Sequence, residues 1–273
     1  MLGTDLLEEL GAVHEVVGVD LPDVDLTEPG SVVRALERAR PEAVVNTAAF
    51  TRVDDCETHR DLAFAVNADG PGHLARACRA LAVPLLHLST DYVFGGAGTR
   101  PWREDDPTAP CGVYAESKHA GERAVAAELP DGAWTTVRTQ WLFGRNGPNF
   151  VEAILRQVKP GARLKVVADQ RGRPTWTRDL ARGLRRILET GKGHGFVNVA
   201  NEGEGTWFDF AEAIVRSTGA GDVQVAPITT AEAARPAPRP AYSVLDLGKF
   251  RSITGWQLPE WRDALDGYLR ERG

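Results

Sequence analysis

The chain has 273 residues, 42% of them apolar, and a formal net charge of −6. That length supports one large core or two lobes sharing a cleft. The acidic balance excludes the broad basic face that a nucleic acid or an acidic lipid surface requires, though a few local arginines still suffice for a small anionic ligand. The three cysteines, Cys56, Cys78 and Cys111, form no CxxC pair and have no histidine at metal-ligand spacing, so they read as structural thiols of a reduced, cytoplasmic protein, and no metal is expected. No basic region followed by an apolar run opens the chain, and no segment approaches the roughly 20 apolar residues of a membrane span.

In chain order, MLGTDLLEEL reads as a Leu-Gly step into an amphipathic helix, and HEVVGVD reads as a strand ending at Asp20. SVVRALERAR predicts a helix, EAVVNTAAF a strand ending at Asn46, DLAFAVNADGPGHLARACRAL a helix, and VPLLHLST a strand ending at Ser89. A further strand, WTTVRTQWLFG, closes this part. β-Branched runs buried on both faces and separated by helices predict an α/β fold with a doubly wound parallel sheet, whose ligands bind beyond the carboxyl ends of the strands. Then follow a helix at FVEAILRQVKPG, a strand at RLKVVADQ, a helix at RDLARGLRRILETG, a strand at GFVNVAN and a helix at TWFDFAEAIVRSTG. The Pro-Arg-rich stretch RPAPRPAY reads as an ordered binding loop, because a strand, YSVLDLGKF, and a helix, PEWRDALDGYL, follow it. No internal repeat or coiled coil is evident.

The strongest chemical signal is STDYVFGG at 89–96 followed by YAESK at 114–118. A Tyr and a Lys four apart share one helical face. Lowering a phenol pKa from about 10 towards neutrality takes about 4 kcal/mol, which an ammonium at ~4 Å supplies at an effective dielectric near 20. The hydroxyls of Ser89 and Thr90 end an apolar strand just upstream, where one of them can share a substrate oxygen with that tyrosine. His87, inside LLHLS, reads as a core histidine.

Together with RPEAVVNTAAFTRVDDCE, PTAPCGVYAESKHAGE, VRTQWLFG, GRPTWTRDLA and TWFDFAEAI, these stretches carry a resemblance over essentially the whole chain. The sequence resembles the extended short-chain dehydrogenase/reductases, and within them the dTDP-4-dehydrorhamnose reductase family. The resemblance implies a Rossmann-type NAD(P)-binding lobe in 1–145 with parts of 165–200, and a smaller sugar-nucleotide lobe mainly in 146–273. It implies that Thr90 hydrogen-bonds the keto oxygen of the sugar, that Tyr114 protonates it, and that Lys118 holds the nicotinamide ribose while lowering the tyrosine pKa. Asp91 and Trp141 match positions bordering the sugar. Related 4,6-dehydratases follow the Thr-Asp pair with a Glu that serves elimination; here Tyr92 follows, which favours simple reduction.

On the cofactor side, Asp20 stands where an acidic side chain accepts from ribose hydroxyls. No arginine occurs in 21–33, which tilts the reading towards NADH, although the family uses either nicotinamide and usually NADPH. Asp25 and Leu26 would flank the adenine, and Ala48, Ala49 and Phe50 would lie along the cofactor. Arg235 and Arg239 are placed to close on a diphosphate, with proline stiffening lowering the ordering cost. Gly172, Arg173, Pro174 and Thr175 match a turn near the cleft for which a packing role is expected.

The opening MLGTDLLEEL matches the end of the family's GxxGxxG turn, with Leu2 and Gly3 against the cofactor and Gly3 as the third glycine. The expectation is that Met1 is an internal methionine and that the natural frame begins roughly ten residues earlier, as a strand plus a glycine loop needs. The resemblance also implies a homodimer. Two other readings stand beside reduction of dTDP-4-dehydrorhamnose to dTDP-L-rhamnose: a reductase of a different dTDP-4-keto-deoxysugar, and a non-catalytic regulatory subunit of the kind that the β subunit of methionine adenosyltransferase represents.

Overall fold

The computed structural model describes residues 1–272. Its centre is a parallel sheet of β1 (Val44–Asn46), β2 (Leu85–Thr90), β3 (Trp134–Thr139) and β4 (Gly195–Asn198), in that spatial order. The register sets Asn46 beside His87, Thr90 beside Thr139, and Arg138 beside Asn198. β2 is buried at every position because helices cover both faces of the sheet. Leu86 and Leu88 point to one face, where they pack with Leu6, Leu10, Leu184 and Val197; Leu85 points to the other, with Val32, Leu74, Cys78, Val125 and Trp134. The first layer is built by α1 (Leu2–Gly11) and the helix Thr177–Thr190, the second by α2 (Pro29–Ala39) and the helices Gly70–Leu81 and Val113–Glu128. The doubly wound α/β architecture is thus the one the alternating pattern predicts.

A second core gathers Phe143, Val151, Ile154, Trp176, Phe210, Trp261 and Tyr268 from the later part of the chain. A smaller cluster of Val93, Phe94, Ala200, Leu245 and Leu247 lies beneath the segment that follows β2.

Four expected elements differ. The segment 15–20 forms no ladder, and its Val17 and Val19 are exposed; a strand needs a partner, and no described residue pairs with the outer edge of β1. The strand through WTTVRTQWLFG breaks at residues 140–141, where Trp141 takes a left-handed φ of 49°, and Leu142–Phe143 pairs instead with Thr175–Trp176. YSVLDLGKF makes only isolated bridges to Ala97, Trp102 and Arg171, and its end becomes the helix Gly248–Thr254, whose first N–H is taken by Asp246 Oδ1 at 2.8 Å. The expected helix through 61–81 carries a π-helical turn at Ala65–Asp69. Gln224–Ile228, which has little alternation, is a strand paired with Arg163–Val167.

Candidate active site

The helix Val113–Glu128 is docked tightly under the end of β2. A Cβ at Gly121 would lie 2.1 Å from the Asn67 carbonyl oxygen, so only glycine lets the helix approach the π turn this closely. Asn67 is fully buried and spends its amide on three partners. Its Oδ1 accepts from Phe50 N at 2.8 Å, and its Nδ2 donates to Phe50 O at 3.0 Å and to Ser117 Oγ at 3.1 Å. Ser117 in turn donates to Tyr114 O at 2.9 Å. The loop after β1 and the helix bearing Tyr114 and Lys118 are therefore fixed to one another.

At the end of β2, Thr90 Oγ1 donates to Asp91 Oδ1 at 3.0 Å and accepts from Tyr92 N at 3.2 Å. Tyr114 stands beside them: burial pushes its phenol well above the usual range, and a hydrogen bond with Thr90 pulls the other way. The Tyr92 ring meets the Tyr114 ring edge-on at 5.6 Å. Burial pushes the Asp91 carboxyl up to about 7, against the opposing hydrogen bonds of Ser243 and Thr90. The arrangement sets the Tyr114 phenol beside a hydrogen-bonded Thr90–Asp91 pair at a strand end, able to polarise and protonate one oxygen.

Lys118 differs from expectation in one respect. Its buried ammonium donates to Leu88 O at 2.6 Å, and burial pulls its pKa down to about 8, with Glu122 opposing. Tyr114 is governed by burial and Thr90, and no lowering by Lys118 is found. Lys118 makes one hydrogen bond among the described residues, so two of its three N–H donors remain unused.

The other sequence-predicted residues fall in two groups. Gly3, on α1, faces the end of β1: a Cβ there would sit 3.3 Å from Thr47 Oγ1. Leu2 is in the sheet core. Ala48 N donates to Asn46 Oδ1 at 3.0 Å, so Ala48, Ala49 and Phe50 are held as a turn between β1 and Asn67. Asp25 Oδ1 instead closes its own turn, accepting from Thr27 N and Thr27 Oγ1 at 2.9 and 2.7 Å, and those bonds hold its pKa low. Leu26 packs on Gly70, and Asp20 is exposed, its Oδ1 accepting from Leu21 N at 2.8 Å.

On the opposite wall, Trp141 stacks on Trp207 with centroids 3.8 Å apart and planes 13° from parallel. Gly172 lies flush against that indole, since a Cβ would fall 2.6 Å from Trp141 Cε2. The turn at 172–175 packs, as expected: Gln140 Oε1 accepts from Arg173 N at 2.9 Å, and the buried Arg173 donates to Leu245 O and Gly203 O at 3.0 and 2.6 Å. Arg239 pairs with Asp54. Sequence reasoning missed Asp54, Asn67, Ser117, Trp207 and Ser243, which join segments far apart in the chain. Only the fixed spacing of Asp54 and Glu57 in VDDCET offered a local signal.

The structure superposes with a TM-score of 0.94 on a dTDP-4-dehydrorhamnose reductase from Bacillus anthracis solved in complex with NADP, which is 34% identical and covers 99% of this chain and 95% of that one. The fold is that of the Rossmann-type sugar-nucleotide reductases. A dTDP-4-dehydrorhamnose reductase from Streptomyces griseus is 45% identical over 272 residues, spanning 97% of this chain and 88% of that protein. A dTDP-4-keto-6-deoxy-D-glucose reductase from Streptomyces niveus is 39% identical over 266 residues, spanning 97% and 92%. The pattern of the family described as RmlD substrate binding domain matches residues 1–272, and the chain belongs to that family.

Proposed function

We propose that this protein reduces the C4 keto group of dTDP-4-dehydrorhamnose (dTDP-4-dehydro-6-deoxy-L-mannose), giving dTDP-L-rhamnose, with NADPH or NADH as the reductant. The observation that carries this reading is the hydrogen-bonded Thr90–Asp91 pair at the carboxyl end of β2, with Tyr114 beside it on a helix that also brings Lys118. When bound, the reduced nicotinamide supplies a hydride to C4. Tyr114, whose phenol stays protonated, gives its proton to the C4 oxygen as charge develops there, and the Thr90 hydroxyl holds that oxygen in place. Lys118 orients the nicotinamide ribose with its two remaining donors. The place a dehydratase uses for a second carboxylate is taken by Tyr92, so nothing beside Asp91 removes a ring proton and the chemistry stops at reduction.

Gly3, Ala48, Ala49 and Phe50 form the cofactor face in this reading, next to Leu2, whose side chain is in the sheet core, with Asp20, Asp25 and Leu26 at its adenosine end. Trp141 and Arg239 belong to the sugar-nucleotide side, Asp91 borders the sugar, and the protein works as a cytoplasmic homodimer with residues 146–273 supplying most of the substrate lobe. The relative from Streptomyces niveus supports a second reading, reduction of a different dTDP-4-keto-6-deoxyhexose, because the same three side chains serve any C4 ketone. The test is to supply both keto sugars with nicotinamide deuterated at C4 and to analyse the products. One deuterium at sugar C4 of the rhamnose epimer supports the proposal; deuterium in the other sugar alone overturns the substrate assignment, and none in either overturns the reductase assignment.

A further inference from the structure

The short helix Val53–Thr58 carries Asp54 and Glu57 one turn apart, and each is committed to a different wall of the cleft. Glu57 Oε1 accepts from Val113 N at 2.9 Å, at the start of the helix that bears Tyr114. Asp54 grips the Pro-Arg loop. It accepts from Arg239 Nη1 and Nη2, both at 3.0 Å, and from Ala237 N at 3.1 Å. Arg239 Nη1 also donates to Ala237 O at 2.9 Å. The prolines on either side pin the loop further: a Cβ at Gly112 would lie 2.9 Å from Pro238 Cδ, and one at Gly96 would lie 2.6 Å from Pro240 Cα. Arg239 is thus held between the segment before Tyr114 and the segment after Tyr92.

The donor inventory gives this grip a chemical meaning. A guanidinium has five N–H groups, and these contacts use three of them, two on Nη1 and one on Nη2. The Nε–H and the second Nη2–H have no partner among the described residues, and they share one edge of the planar group, the fork that matches two oxygens of a phosphate. Arg235 Nη1 stands 3.8 Å from Asp54 Oδ2, so two guanidinium groups surround one carboxylate and the cluster keeps a positive charge. A diphosphate therefore meets a prearranged fork on an ordered loop.

We propose that Asp54 is a positioning residue for the sugar nucleotide: it fixes Arg239 so that the Nε–Nη2 edge faces the diphosphate before substrate arrives. This rests on the reading of Arg239 as a diphosphate contact. Without Asp54 the loop must be ordered at the moment of binding, which costs affinity for the nucleotide and leaves the chemical step largely alone.

The test uses the full-length protein with dTDP itself as the probe. In Asp54→Ala, dTDP affinity falls about tenfold, about 1.4 kcal/mol, and KM for the sugar nucleotide rises in parallel, while KM for the nicotinamide and kcat move less than about twofold. Elastase, which cuts beside alanine, nicks 231–241 faster than in the wild type. Asp54→Asn, which keeps the shape and one acceptor, falls between. The exchange Asp54→Arg with Arg239→Asp restores resistance to elastase but not dTDP affinity, an outcome a purely structural ion pair does not produce. If Arg239→Ala weakens dTDP binding while Asp54→Ala changes neither affinity nor nicking, the positioning role is overturned and the diphosphate reading stands. If Arg239→Ala leaves dTDP affinity unchanged, the diphosphate contact and the proposal built on it both fall.

Discussion

Thr90 donates its hydroxyl to Asp91 across 3.0 Å, and the carboxyl it meets is wholly buried. Burial lifts the Asp91 pKa from 3.8 to about 7, so between those values the folded chain keeps a proton that the unfolded chain has released. Stability from this group is fully present below its unfolded pKa and is lost as pH rises through the folded one. Urea unfolding of wild type and Asp91→Asn therefore diverges: relative to the variant, the wild type loses stability progressively from about pH 4 to about pH 7 and not beyond. A stability difference that stays constant over that window contradicts the buried-acid account.

Gly121 and the Asn67 carbonyl set how deeply the Tyr114 helix sits. At Gly121→Ala the new methyl would lie 2.1 Å from backbone oxygen, which no rotamer change relieves. Denaturant melts are expected to show a loss of about 1–3 kcal/mol. kcat/KM should fall as well, because Tyr114 and Lys118 move with the helix. Gly11→Ala, with nothing within 4 Å of the new Cβ, serves as the control and loses no stability.

Beneath the site, Arg138 meets Glu122 in a two-point pair, Nε to Oε1 at 2.9 Å and Nη2 to Oε2 at 2.8 Å, both side chains buried. The guanidinium lies 4.9 Å from the Phe94 ring centroid and 4.2 Å from that of Phe196. The pair fastens β3 to the helix bearing Lys118. Arg138→Met strips the buried carboxylate of its two-point partner, leaving His119 Nδ1 at 3.5 Å, and is expected to cost about 3–5 kcal/mol in urea unfolding. Adding Glu122→Leu recovers much of that loss, because the desolvation penalty leaves with the second charge.

Much of this was legible in the sequence for a physical reason. Strands buried on both faces announce themselves by composition, so β1 to β4 and their helices could be placed, and Tyr114 and Lys118 could be paired because helical spacing is fixed. What could not be read depends on contacts between distant segments. Asp54 meets Arg239 across 185 positions, and Trp141 stacks on Trp207 through a left-handed backbone that an indole rarely adopts. The segment 15–20 shows the converse. Its β-branched residues, Val16, Val17 and Val19, have the local preference for a strand, but a ladder needs a neighbour, and none of the described residues supplies one.

The central claim is that the Tyr114 hydroxyl protonates the C4 oxygen. Its most direct test is the rate at which absorbance of the reduced nicotinamide is lost with dTDP-4-dehydrorhamnose, compared between wild type and Tyr114→Phe at matched, saturating cofactor. The variant keeps the ring and its edge contact with Tyr92 and lacks only the oxygen, so kcat is expected to fall by about 10²–10⁴-fold while dTDP binding is unchanged. A Tyr114→Phe enzyme that turns over at the wild-type rate would contradict the account.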